Sequence, residues 1–243
     1  MKNPFIIKNK NILITGAASG IGKATAKKLI NYDNRIIAVD RNLNGLSKLE
    51  EEVRSDNLKI IKKDIKEKED IINSVGFTLD GLVNCAGIIK LIPFRSITEK
   101  NIREITINNY ESSALLTSSL IKKRKIKSGS SIVFVSSVMS VVGTQINSLY
   151  AGSKSAIVGI TRTLALEMAK EKIRVNSISP AFVETPMLDF IGQFIDIEEN
   201  KKDHPLGFGK PEDVANVIVF LLSDASRWIT GTNLIVDGGY SAK

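Results

Sequence analysis

The chain has one cysteine, one histidine and one tryptophan in 243 residues. A lone cysteine, Cys85, excludes a disulfide within the chain and fits a reducing compartment. One Cys and one His cannot supply the usual set of zinc ligands, so no metal is expected. No apolar run approaches the roughly 20 residues of a membrane span. The start, Met1-Lys2-Asn3-Pro4-Phe5, lacks the apolar stretch of a signal peptide. These absences predict a cytoplasmic protein with no membrane partner. No repeat or linker divides the chain, so residues 1–243 read as a single domain.

What is present is an ordinary core fraction, 43% hydrophobic, and an excess of cations that gives a net charge of +8. Two readings of that charge stand together. One is a set of solvated lysine faces; the other is attraction to an acidic partner or an anionic substrate. No nucleic-acid motif accompanies the charge, so nucleic acid is not an expected partner.

Asn11-Ile12-Leu13-Ile14 reads as a short buried strand. It runs into Thr15-Gly16-Ala17-Ala18-Ser19-Gly20-Ile21-Gly22 and then a helical pattern through Ala24, Leu29 and Ile30. Strand, glycine-rich turn and helix form the context in which such a turn binds a dinucleotide. Gly16 permits the tight turn, and Gly20 admits a pyrophosphate to the helix N-terminus. Gly22 lets the helix approach the strand. A second strand, Arg35 to Val39, ends at Asp40, where an acid can accept hydrogen bonds from a ribose. That carboxylate repels a 2′-phosphate, so NAD is expected over NADP. Arg41 argues the other way, and Ser19 adds no further cation.

A helix follows from Leu43 to Arg54, then a strand from Leu58 to Ile61. Asp64 either meets an adenine amino group, with Ile65 against the ring, or caps the next helix, read as Lys66 to Ser74. The strand Gly81 to Asn84 ends in Asn84-Cys85-Ala86-Gly87, small residues that leave room for a ribose. Thr98 opens one long helix through Ile121, closed by Lys122-Lys123-Arg124-Lys125-Ile126-Lys127. Those cations either complement the helix dipole or, with Lys170, Lys172 and Arg174, dock an acidic carrier protein.

Ile132-Val133-Phe134-Val135 is a strongly apolar strand that ends on Ser136 and Ser137. Tyr150 lies thirteen residues past Ser137, and Lys154 four further on, where the pattern is helical. Residues four apart share a helix face, so Tyr150 and Lys154 should sit one turn apart opposite Ser137. A free tyrosine titrates near 10, and a neighbouring ammonium should lower that value. This arrangement suits proton transfer at a carbinol oxygen. Tyr150-x-x-x-Lys154 alone is also met as a surface pair.

Taken together, Thr15 to Gly22, Asn84 to Gly87, Ser137, Tyr150 and Lys154 resemble the short-chain dehydrogenase/reductase family. The likeness spans nearly the whole chain, with Cys85 where the family usually carries Asn. It implies an α/β Rossmann-type fold, a doubly wound parallel seven-stranded sheet of order 3-2-1-4-5-6-7 with helices on both faces. It implies hydride exchange between NAD and a secondary alcohol or ketone. Tyr150 would be the acid/base, Lys154 the holder of the nicotinamide ribose, and Ser137 the substrate-oxygen ligand. Asn109, rather than Asn108, would support a proton relay. The segment Ser179 to Met187 resembles the nicotinamide wall, with Pro180, Val183 and Thr185 on the cofactor and Ala181 where Gly is usual. The substrate pocket is read as apolar, from Val138, Met139, Val142, Ile146, Phe182 and Met187. Residues 187–208 read as a mobile lid, with His204 on its surface.

Within the family the likeness is strongest to 3-oxoacyl-carrier-protein reductases. Those usually take NADPH, which Asp40 opposes, so a sugar, polyol or other small-alcohol dehydrogenase is the rival. A non-catalytic nucleotide-binding scaffold is the reading from another class. The apolar helix faces imply a homotetramer or homodimer.

Overall fold

The computed structural model describes residues 3–242. Seven strands alternate with helices: β1 Asn11–Thr15, α1 Gly20–Ile30, β2 Arg35–Asp40, α2 Leu43–Val53, β3 Leu58–Lys62, α3 Lys68–Ser74 and β4 Leu79–Asn84. Then come α4 Glu99–Thr106, α5 Ser112–Lys122, β5 Ile126–Val135, α6 Ser148–Glu167 and β6 Arg174–Pro180. The chain closes with α7 Pro186–Ile191, α8 Ile197–Lys201, α9 Pro211–Leu222 and β7 Asn233–Val236. The strands form one sheet in the order β3-β2-β1-β4-β5-β6-β7, and every neighbouring pair is parallel. This is the expected doubly wound arrangement.

Strand residues alternate between the sheet's two faces, and each face has its own core. Ile12, Ile14, Ile36, Ala38 and Val133 pack with Leu29 of α1, Leu46 of α2 and Ile218 of α9. Leu13, Ile37, Val39, Ile132 and Phe134 pack with Ile71 of α3, Leu116 of α5 and Ile157 of α6. A strand buried on both faces must be apolar throughout, which is why these strands were readable as short Ile/Val/Leu runs.

Three boundaries differ from the sequence reading. The helix expected from Thr98 to Ile121 is two α-helices joined by a π-helical turn, Ile107–Glu111. The wider turn carries Asn109 inward, to a buried position that a regular helix would not have specified. The basic run does not simply close that helix, since α5 ends at Lys122 and Ile126 and Lys127 already belong to β5. Helix α3 begins at Lys68, because Lys66 N–H is held by the Asp64 side chain at 3.0 Å in a preceding turn. Its N-terminal cap position is Glu67, so the capping alternative for Asp64 does not hold.

The order β2-β1-β4 means that the chain leaves β1 on one side and β4 on the other. The crevice beyond the carboxyl ends of strands at such a reversal is where ligands bind in open α/β sheets. Phe134 is the largest fully buried side chain of the core. Replacing it with Ala should cost about 3–5 kcal/mol, read as a lower urea midpoint at unchanged slope.

Candidate active site

A cavity of about 330 Å³ opens at that crevice. Gly16, Ser19, Gly20, Ile21 and Gly22 form one wall, and Asp40, Arg41, Asp64 and Ile65 another. Cys85, Ala86 and Gly87 form the floor, and Ser137, Met139, Tyr150 and Lys154 the far end. Pro180, Phe182, Val183, Thr185 and Met187 close the remaining side. Of the residues singled out in the sequence for the cofactor and for catalysis, Asn84 and Asn109 stand behind the wall.

The glycine turn fits an anion. Gly16 has φ +68°, and a Cβ there would lie 2.8 Å from Ala86 N. A Cβ on Gly22 would lie 2.2 Å from Gly16 O. Neither position tolerates a side chain. Ser19 occupies the N-cap of α1 without a side-chain cap bond, and the first turn of α1 carries no acid. The N–H groups of that turn and the positive end of the dipole therefore face the cavity, as a pyrophosphate requires. Gly20 sits opposite Thr185, whose Cγ2 would be 2.9 Å from an added Cβ. The turn and the segment after β6 thus meet across the cleft.

Asp40 is tied to the turn it faces. One carboxylate oxygen accepts from Ala18 N–H at 3.1 Å, the other from Asn42 N–H at 2.9 Å. Lys63, which the sequence reading passed over, also lines the cavity but is paired with Glu67 and Asp70. Arg41 is exposed beside Asp40 and makes no ion pair among the described residues.

The far end is dry. Tyr150 and Lys154 are buried on α6, with the ammonium 5.7 Å from the phenol ring centroid. Lys154 Nζ donates to Val135 O at 2.8 Å, and Ser136 Oγ donates to Lys154 O at 2.8 Å. These bonds fasten the helix to the end of β5. Asn109 Oδ1 accepts from Ile88 N–H at 2.7 Å, while Nδ2 donates to Ile88 O and to Ser153 Oγ. Gly87 leaves the gap between Asn109 and Lys154, since a Cβ there would be 3.3 Å from Asn109 Oδ1 and 3.4 Å from Lys154 Nζ.

Burial sets the titration of this end. It pushes the Tyr150 phenol up to about 12, and the hydrogen bond with Ser137 opposes it. It brings Lys154 down to about 8, opposed by Cys85. The Cys85 thiol is pushed up to about 12 and stays protonated. The expected lowering of the phenol by the ammonium is therefore absent here. The lysine is itself desolvated and leans toward neutrality.

Other expectations change in detail. Val142 packs on Val138, Met139 and Tyr150 rather than lining the cavity, and Ile146 lies outside it. His204 is not at the surface. It stacks on Tyr240 at 4.5 Å and on Phe182 at 5.2 Å, and Nδ1 lies 2.9 Å from Asn200 O. Three segments distant in the chain make that sandwich, so nothing local announced it. Sequence reasoning also missed Asn147, which lines the cavity three residues before Tyr150. Its signal was that spacing, one turn along the same helix.

The lowered Lys154 makes a pH-dependent stability difference. Between pH about 8 and 10.5 the unfolded lysine holds a proton that the folded one has released, so stability rises with pH. The raised Tyr150 acts oppositely, but only above about 10. Urea unfolding of the cofactor-free wild type should gain on Lys154→Met by about 1 kcal/mol per pH unit between pH 8 and 9.5. Parallel curves for the two proteins would refute the burial argument.

Comparison with known proteins agrees with this geometry. Residues 16–241 match the family model described as Enoyl-(Acyl carrier protein) reductase. The chain is 37% identical to the 3-oxoacyl-[acyl-carrier-protein] reductase FabG of Thermotoga maritima, over 96% of this chain and 98% of that one. It is 34% identical to the NAD-dependent glycerol dehydrogenase of Listeria innocua, over 98% and 96%. Among solved structures, a short-chain dehydrogenase/reductase, glucose/ribitol dehydrogenase, from Brucella melitensis superposes with TM-score 0.90 at 30% identity, covering 99% of both chains. ElxO with NADP bound superposes with TM-score 0.87 at 27% identity, covering 97% of this chain and 100% of that one. The chain belongs to the short-chain dehydrogenase/reductase family, oxidoreductases that interconvert alcohols and ketones with a nicotinamide cofactor.

Proposed function

We propose that this protein interconverts a small secondary alcohol and its ketone with NAD, using Tyr150 as the acid/base. The observation that carries this reading is one cavity holding both the glycine turn and the buried Ser137, Tyr150 and Lys154. When bound, the dinucleotide supplies or accepts the hydride. Ser137 holds the substrate oxygen, and Tyr150 gives it a proton in reduction or removes one in oxidation. As the side chains stand, the phenol is protonated at neutral pH, the form that ketone reduction uses. Lys154 holds the nicotinamide ribose, and Asn109 steadies the Gly87-Ile88 backbone beside it and serves the proton relay. Pro180, Val183 and Thr185 flank the nicotinamide. The segment 187–208 acts as the lid, with Met187, Leu188 and Ile191 facing the cleft.

NAD is favoured by charge. A 2′-phosphate beside Asp40 would meet a carboxylate, and Lys63 is already engaged by two acids. Among the described residues of that wall, Arg41 alone is left to pair with it. The NADP-bound neighbour supports the opposite choice, and the NAD-dependent relative supports this one.

A carrier-bound 3-oxoacyl substrate is the second reading, favoured by the likeness to the Thermotoga reductase. The basic patch supports it only in part. Lys123 pairs with Glu69, Lys127 with Asp80, and Lys125 donates to Val75 O. That leaves Lys122, Arg124, Lys170 and Lys172 for an acidic partner. Exposed Leu115 on α5 and Leu166 on α6 support a homo-oligomer built on these helices.

Tyr150→Phe should lower turnover by about 10²–10⁴-fold, with NADH binding retained by fluorescence titration. Unchanged turnover would remove the mechanism. The wild type should favour NAD over NADP in kcat/KM by about tenfold or more, an energy of about 1.4 kcal/mol. Asp40→Asn should narrow that ratio. Efficient turnover with NADPH alone would overturn the cofactor assignment.

A further inference from the structure

Asn147 stands at the N-cap of α6, the place where an Asn side chain ordinarily accepts a bond from the helix's first N–H groups. Here it makes no cap bond. The side chain is 6% exposed, and its Oδ1 is buried without any hydrogen-bond partner. The amide's other end is engaged. Thr144 Oγ1 donates to Met139 Sδ at 3.3 Å and accepts from Asn147 Nδ2 at 3.4 Å. With the amide so placed, the end left over is the acceptor.

A buried carbonyl oxygen without a donor is costly to the fold, so its retention asks for a partner that arrives with the ligand. Asn147 lines the same cavity as Ser137 and Tyr150. It precedes Tyr150 by three residues, a spacing that puts Cβ atoms on a helix roughly 5–6 Å apart. Val138, Met139 and Phe182 also line the cavity and offer no side-chain donor.

We infer that Asn147 is a specificity-determining residue that accepts a hydrogen bond from a second hydroxyl of the substrate. The substrate class is then a diol, polyol or hydroxyketone. This rests on the alcohol/ketone reading above and narrows it. A site built around such an acceptor discriminates strongly against an analogue that lacks the hydroxyl. Binding the polyol satisfies the orphaned oxygen, whereas a mono-alcohol leaves it buried and bare.

The test is a matched panel, 2,3-butanediol and glycerol against 2-butanol and cyclohexanol, followed by NADH absorbance. Wild type should show a kcat/KM ratio of diol to mono-alcohol of tenfold or more. Asn147→Leu, close in size but without the acceptor, should reduce that ratio at least tenfold. Asn147→Asp, which keeps an acceptor, should retain more of it. Should the Leu variant fold poorly by circular dichroism, Asn147→Ser is compared in the same ratio. Equal losses on both alcohol classes, or a wild type that prefers mono-alcohols, would overturn the inference and leave the reaction intact. A protein that binds NADH yet turns over no alcohol of either class would overturn the reaction reading, and this inference with it.

Discussion

The cleft exists because two positions have no side chain. Gly16 lies against the Cys85-Ala86 backbone, and Gly22 lies against Gly16 itself. A methyl group at either would force the turn away from β4 and lift α1 off the sheet. Everything on the cofactor side follows from that contact. The N-terminus of α1 is brought to the crevice with free N–H groups, and Asp40 reaches across to hold Ala18 N–H. Gly87, on the same floor of the cavity, lies against Asn109 and Lys154.

At the Tyr150 and Lys154 end of the cavity, burial outweighs charge pairing. Tyr150 and Lys154 are both taken out of water, and each shifts toward its neutral form. At neutral pH the phenol stays protonated, while the amine titrates at about 8, within reach of neutrality. The geometry is held from behind. Val135 O fixes the amine, Ser136 fixes the backbone of α6, and the π-helical turn places Asn109 against Ile88. Val135, Ser136 and Ile88 line the cavity and Asn109 stands behind it, and each limits where Tyr150 and Lys154 can go.

Unsatisfied polar atoms mark where the fold has been shaped for something other than stability. Asn84 Oδ1, Asn147 Oδ1, Arg174 Nη1 and His204 Nε2 are buried without partners. Among them only Asn147 lines the cavity. His204 instead stacks between Phe182, which lines the cavity, and Tyr240 near the C-terminal end of the described residues. The cavity wall is therefore braced by a residue that local sequence placed in solvent.

The strands, the glycine turn, and the Ser137, Tyr150 and Lys154 set were determined by sequence alone. Their signals are local: a β-branched run, a glycine where no Cβ fits, two residues one helical turn apart. Asp40 and the segment after β6 were legible for the same reason, since each ends a recognisable strand. What tertiary structure decided was which groups meet and how dry the meeting place is. The titration of Tyr150, the burial of His204, the inward turn of Asn109 and the idle carbonyl of Asn147 all depend on segments far apart in the chain. Desolvation and hydrogen-bond satisfaction are properties of an enclosed volume, and no stretch of sequence encloses one by itself.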